Sequence, residues 1–180
     1  ISELRLRKIS LIGHSMGGYI ALAFAELYPD HLRSLVLLNS SAQADSDDRK
    51  INRDRAIEVV KKNSTAFIRM ATSNLFNKEA HETFKVEIEA FIAQALKTPI
   101  QGIVASLEGM KIRMDREALL HFSPYPKMII TGIKDPILPL EQVREEIIDT
   151  EVVFHSIDCG HVAPLEAPLL LVEKLKSFLK

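Results

Sequence analysis

Ile9-Ser10-Leu11-Ile12-Gly13-His14-Ser15-Met16-Gly17-Gly18 carries a β-rich apolar run into a glycine, crosses a His-Ser-Met apex, and leaves through two more glycines into Tyr19-Ile20-Ala21-Leu22. This pattern predicts a strand, a very tight turn and a helix, with Ser15 at the turn. Gly13 and Gly17, two residues before and after the serine, are expected to let strand and helix approach where a Cβ would clash. Ser15 would then sit on a strained turn with its hydroxyl above the strand end. The first amides of the helix would lie beside it, ready to receive negative charge.

Outward from this stretch the pattern alternates. Ser2 to Lys8 is short and charged and reads as the end of a helix. Lys8 to Ile12 reads as a buried strand and Met16 to Tyr28 as a helix that is apolar nearly all round, which predicts packing against a sheet. Gly17, Ala21 and Ala25 give that helix a small-residue face, and Tyr28-Pro29 ends it, because a residue before proline is pushed out of the α region. Ser34 to Leu38 is a second buried strand whose continuous apolar run fits a parallel sheet covered on both faces. Asn39-Ser40-Ser41 leaves it as a loop, and Asp45 to Lys50 reads as a solvated charged loop. From Ile51 to Met110 helical spacing takes over: Ile57, Val60, Phe67 and Met70, then Ile88, Phe91, Ile92, Ala95 and Leu96, then Ile100, Ile103, Val104 and Leu107. Thr98-Pro99-Ile100-Gln101 reads as a capping box with proline in the first turn. Strands return at Lys127 to Thr131 and Glu151 to Ile157, separated by a turn at Gly132 to Pro136 and a helix at Leu140 to Asp149. Leu169 to Leu179 closes the chain as an amphipathic helix with Leu171, Leu175, Phe178 and Leu179 on one face.

A chain of 180 residues can bury roughly 70% of its unfolded surface in one well-filled domain. A net charge of −1 gives no electrostatic reason to expect nucleic acid or an anionic membrane as partner. Cys159 is the only cysteine, which excludes an internal disulfide framework and a multi-cysteine metal site. No apolar run approaches the roughly 18 residues that span a bilayer. Neither metal-ligand spacing nor a phosphate-cradling glycine loop is present, so no metal and no cofactor is expected, and the domain reads as cytoplasmic.

Gly13-His14-Ser15-Met16-Gly17, set between a strand and a helix, is a G-x-S-x-G nucleophile elbow, and here the chain resembles the α/β-hydrolase family. The resemblance implies an α/β fold with a mostly parallel sheet flanked by helices. Residues 1–44 and 119–180 would form the core and residues 45–118 an inserted helical cap. In that family the elbow strand lies near the middle of the sheet, preceded by further strands and a helix. The sequence is therefore expected to be the C-terminal part of a longer hydrolase, with the strand at residues 8–12 covered by the absent segment or by another chain.

The resemblance also implies a catalytic site. A serine hydroxyl needs a base within reach, and the base needs a carboxylate to fix its tautomer. Ser15, Asp135 and His161 occur in the family's chain order, each just after a strand. Of the six histidines, only His161 follows the last strand in a glycine-containing loop. Asp158, Asp115 and Glu166 compete for the acid, but Gly132-x-x-Asp135 resembles the family's acid loop. Asn39 stands where some relatives place the acid, yet an amide cannot stabilise an imidazolium. The Met16 backbone N–H would be one oxyanion donor. The second would come from a segment outside these residues, so the chain alone is expected to be a weak hydrolase.

The expected function is hydrolysis of an ester, lactone or similar carbonyl compound through an acyl-enzyme. A triad-using lyase of the menaquinone-pathway type and a non-catalytic signalling relative are the alternatives. His14, Phe67, Met70, Phe76, Phe91 and Met110 are candidates for binding a small, hydrophobic acyl or ester-type substrate. Cys159 reads as a small buried residue.

Overall fold

In the computed structural model, which describes residue 1 and residues 3–179, four parallel strands lie side by side in their chain order. The elements are β1 (Ile9–His14), α1 (Met16–Leu27), β2 (Leu32–Leu38), α2 (Asp47–Ser73), α3 (Lys78–Thr83), α4 (Lys85–Ala95), α5 (Ile100–Ile112), α6 (Ala118–Phe122), β3 (Lys127–Gly132), α7 (Leu140–Glu146), β4 (Val153–Ile157), α8 (Ala163–Glu166) and α9 (Pro168–Phe178), with a 3₁₀ turn at Pro29–His31. They divide into two compact units, Ile1–Gln43 with Asp115–Lys180, and Ala44–Met114.

The first unit is the sheet and its flanking helices. Alternate residues of β2 and β3 serve opposite faces, as the pleat requires. Leu35, Leu37 and Ile129 pack with Ala21, Leu22 and Ala25 of α1, Leu120 of α6 and Val143 of α7. Val36, Leu38, Met128 and Ile130 pack with Ala163 of α8 and Leu171 of α9, backed by Leu175, Phe178 and Leu179. Both faces of the central strands are covered, which is why their sequences carry no polar alternation.

Several local expectations change. Residues 3–5 form a turn and residues 6–8 are irregular, with no helix end, and Ser2 lies outside the described residues. α1 buries Gly18, Ala21, Leu22 and Ala25, so its small-residue face runs from Gly18 and not from Gly17. Ile20 and Leu27 on its other side are 62% and 68% exposed, so its all-round apolar sequence does not mean all-round burial. α7 stops at Glu146 and β4 begins at Val153, with Asp149 at φ 57° in the connection. Among the described residues, β1 pairs with β2 alone and stands at one edge of the sheet.

The second unit is helical. Asp45 to Lys50 is not a solvated loop: Ser46 caps α2 by accepting from the Arg49 amide, and Asp47 and Asp48 occupy the first turn, where acidic residues suit the helix dipole. Asp45 itself is buried, 3.0 Å from Arg53 Nε and 2.7 Å from Arg113. Burial works to raise its pKa, and the two guanidinium groups outweigh that and hold the carboxyl below its usual range. Ile57, Val60 and Leu107 form the centre of this unit, with Phe67, Ile103, Val104 and Met110 against it. α2 breaks at Asn63, at φ −155° and ψ 81°, where Asn63 Oδ1 accepts from the Ala66 amide and starts a new helical phase. Beyond the break Ile68 and Thr72 are buried in place of Met70, which is 53% exposed. The predicted capping box is not formed: Pro99 takes the N-cap position of α5, with no side-chain cap.

Candidate active site

A parallel sheet presents the C-terminal ends of all its strands on one edge. Ser15 follows β1, Asn39 follows β2, Asp135 follows β3, and Gly160 and His161 follow β4.

At the first exit, Ser15 holds φ 52° and ψ −123°, a strained conformation for a residue with a Cβ. Its amide donates to the Leu38 carbonyl at 2.9 Å, and its carbonyl accepts from the Gly18 amide at 2.9 Å and from Ser40 Oγ at 2.8 Å. A Cβ on Gly13 would strike the Gly17 carbonyl and the Gly18 backbone, and one on Gly18 would strike Ser40. Gly17 has open space around it, so Gly18, not Gly17, is the second obligatory glycine of the turn. Met16 opens α1, and its amide is one of the first-turn N–H groups that the helix cannot satisfy itself.

Ser15, His161 and Asp135 come together. His161 Nε2 lies 2.8 Å from Ser15 Oγ, and His161 Nδ1 lies 2.8 Å from Asp135 Oδ2. Asp135 is an acceptor when ionised, so Nδ1 carries the proton and Nε2 faces the serine hydroxyl as an acceptor. Both side chains are shielded: His161 is 3% and Asp135 0% exposed. The other carboxylate oxygen, Oδ1, accepts from the amides of Ile137 at 2.8 Å and Leu138 at 3.0 Å, a turn in which Pro136 has no amide to compete. Burial pushes the Asp135 pKa up, and the bond from His161, its charge, and the donors on Asn39 and Ile137 outweigh that, holding the carboxyl below its usual range.

The loop bearing His161 is held on several sides. Glu166 accepts from the amides on either side of His161, Gly160 at 2.7 Å and Val162 at 2.9 Å. His14 Nε2 donates to the His161 carbonyl at 2.8 Å, and burial lowers the His14 pKa, favouring the neutral ring. Gly132 is obligatory here because a Cβ would overlap the carbonyls of Cys159 and Gly160. The Cys159 thiol is buried and pushed up to about 12, first by burial and then by the charges of Glu166, Asp135 and Asp158, so it is not a nucleophile at neutral pH. Asp158, a competitor for the acid, instead pairs with Lys134 at 2.9 Å.

The remaining candidates belong to the helical unit. Phe76 is buried and meets Phe91 and His81 edge-on, while Phe67 and Met110 are partly buried and pack against the unit's own centre. Met70 and Phe91 are half exposed. Among the described residues, no group of His, Cys, Asp and Glu side chains is disposed to hold a metal ion, and no helix is long and apolar enough to cross a membrane.

The family model for the alpha/beta hydrolase fold matches residues 2–168. The chain belongs to the α/β hydrolase fold family. An abhydrolase domain-containing protein of Schizosaccharomyces pombe is 28% identical over 205 residues, covering 99% of this chain and 70% of that protein. The 3-oxoadipate enol-lactonase 1 of Acinetobacter baylyi is 25% identical over 184 residues, covering 100% of this chain and 67% of the lactonase. Among solved structures, a thermophilic esterase from Thermogutta terrifontis superposes with a TM-score of 0.88 at 32% identity, covering 99% of this chain and 67% of the esterase. The chain thus spans about two thirds of the length of these α/β hydrolase relatives.

In the sequence, Asn39 stands out only at an alternative place for the acid and Glu166 only as a competing carboxylate, while Ser40 and Glu146, whose partners lie far away in the chain, carry no local signal. A polar residue ending the apolar run of β2 is the local signal that marks Asn39.

Proposed function

We propose that the protein is a serine hydrolase acting on an ester, lactone or similar carbonyl compound. The observation that carries this reading is the unbroken relay from Ser15 Oγ through both nitrogens of His161 to Asp135 Oδ2, with 2.8 Å at each link. Ser15 Oγ attacks the carbonyl carbon while His161 Nε2 takes its proton. Asp135 stabilises the imidazolium without taking a proton itself. Negative charge on the carbonyl oxygen develops beside the Met16 amide at the head of α1, which stabilises it. Collapse expels the leaving group with the proton returned by His161, and water, activated by the same histidine, releases the acid from the acyl-serine.

The thermophilic esterase and the enol-lactonase among the relatives support a carbonyl substrate of this class. Phe76 is committed to the interior of the helical unit, whereas Phe67 and Met110 are partly buried and Met70 and Phe91 half exposed, so these four are its candidates for touching an apolar acyl group. The edge of β1 that has no strand partner among the described residues is proposed to pair with a further segment or another chain.

The test is labelling of the protein by a fluorophosphonate probe, which phosphonylates an activated serine. Ser15 is expected to carry the adduct, and Ser15→Ala to abolish it. Absence of labelling in the wild-type protein, or equal labelling of Ser15→Ala, would overturn the assignment.

A further inference from the structure

Asn39 leaves β2 with φ 46°, in the left-handed region that asparagine tolerates better than most residues. It is 1% exposed. Its amide nitrogen points one hydrogen at each of two loops, lying 2.9 Å from Asp135 Oδ2 and 3.1 Å from the Gly160 carbonyl. The Asn39 and His161 side chains thus meet at the same oxygen of the Asp135 carboxylate.

At the other end of the amide, Asn39 Oδ1 is buried, and among the described residues no donor reaches it. Turning the amide over would place that oxygen against Asp135 Oδ2, acceptor to acceptor, and lose both bonds. The orientation is therefore fixed by the carboxylate, and it aims two donors at the acid loop and the base loop. With Asn39 in place, Oδ2 accepts two bonds and Oδ1 another two, from Ile137 and Leu138. The carboxylate can then neither rotate nor present its other oxygen to the histidine.

The residues that follow extend the hold. Ser40 Oγ donates to the Ser15 carbonyl, while Ser41 Oγ and the Ala42 amide donate to the buried Glu146 of α7. Four consecutive residues after β2 thus tie the acid, the backbone of the serine and a flanking helix to one another.

We propose that Asn39 is a positioning residue of the site, selecting Asp135 Oδ2 as the oxygen that faces His161 and tying the acid loop to the base loop through the Gly160 carbonyl. The proposal rests on the triad reading above. A serine, an aspartate or an aliphatic residue cannot supply two donors from this place.

The test uses the full chain with Asn39→Gly, which suits the backbone angle, and Asn39→Asp, which keeps the shape. In each, the rate of fluorophosphonate labelling is measured alongside the low-field proton resonance of the His161 Nδ1–H bonded to Asp135. Both variants are expected to label at least about tenfold more slowly than wild type and to shift or lose that resonance while remaining folded by circular dichroism. Wild-type labelling rates and an unmoved resonance in a folded variant would overturn the proposal. Should the wild-type protein fail to label, the nucleophile assignment falls, and the resonance still decides the role of Asn39. Either variant, if it folds, is sufficient.

Discussion

Asp135 depends on its surroundings for both its charge and its direction. Asp135→Asn keeps its shape but can donate to His161, which favours the wrong tautomer of the base. Turnover of a simple ester is expected to fall by about 10⁴-fold, with KM little changed, in steady-state kinetics. The carboxyl also links stability to pH. Its folded-state pKa is depressed, so its contribution is complete above the unfolded-state value of about 3.9 and is lost as pH falls through the lower folded value. Urea unfolding followed from pH 6 downward is expected to show a shallower acid loss in Asp135→Asn than in wild type. Glu146 has the opposite sign. Burial raises its pKa, the charges of Glu117 and Asp115 add to this, and the donors on Ser41 and Ala42 only partly offset it. Its contribution is therefore complete below the unfolded-state pKa of about 4.3 and is lost as pH rises through the folded value. Glu146→Gln can accept from the Ala42 amide and donate to Ser41 Oγ, so at pH 8 it is expected to match or exceed wild type in urea midpoint. Glu146→Ala strands both partners and is expected to cost about 2–4 kcal/mol.

At the scale of elements, the turn from β1 into α1 distinguishes two adjacent glycines. Gly17 faces open space in a helix with ordinary backbone angles, so Gly17→Ala is expected to stabilise by about 0.5–1 kcal/mol. Gly18→Ala drives a methyl group into Ser40, the donor to the Ser15 carbonyl, and is expected to destabilise by about 1–3 kcal/mol and to slow labelling of Ser15. Thermal melts of the two variants should move in opposite directions. Equal shifts would mean that the turn does not hold Ser40 where the fold places it.

For the whole molecule, the two units rest on different physics. The sheet unit is held by apolar burial on both faces of β2 and β3. The helical unit adds a buried charge cluster, in which Asp45 of the segment leading into α2 meets Arg53 on α2 and Arg113 at the end of α5. Removing one member leaves charge without its counter-ion in a shielded place. Asp45→Ala is expected to cost about 3–5 kcal/mol, with faster amide exchange in Ala44–Met114 and little change across the sheet; exchange measured by mass spectrometry localises the effect.

The sequence by itself determined the order and type of the main elements. Continuous apolar runs such as Leu35 to Leu38 and Met128 to Ile130 read as parallel strands, and Gly13 to Gly18 as a tight strand-to-helix turn, because these signals are local. It also marked Ser15, Asp135 and His161, since each follows a strand in a recognisable loop. Only the tertiary structure decided what lies between them. Asn39, Ser40, Glu146 and Glu166 have partners 96, 25, 105 and 6 residues away, and a hydrogen bond across such separations leaves no periodic trace in the chain. The phase break at Asn63 and the burial of Asp45 were hidden for the same reason: backbone angles and charge pairing are fixed by packing around a residue, and packing is a property of the fold. Gly17 and Gly18 are identical as letters, and the position of Ser40 alone makes one dispensable and the other not.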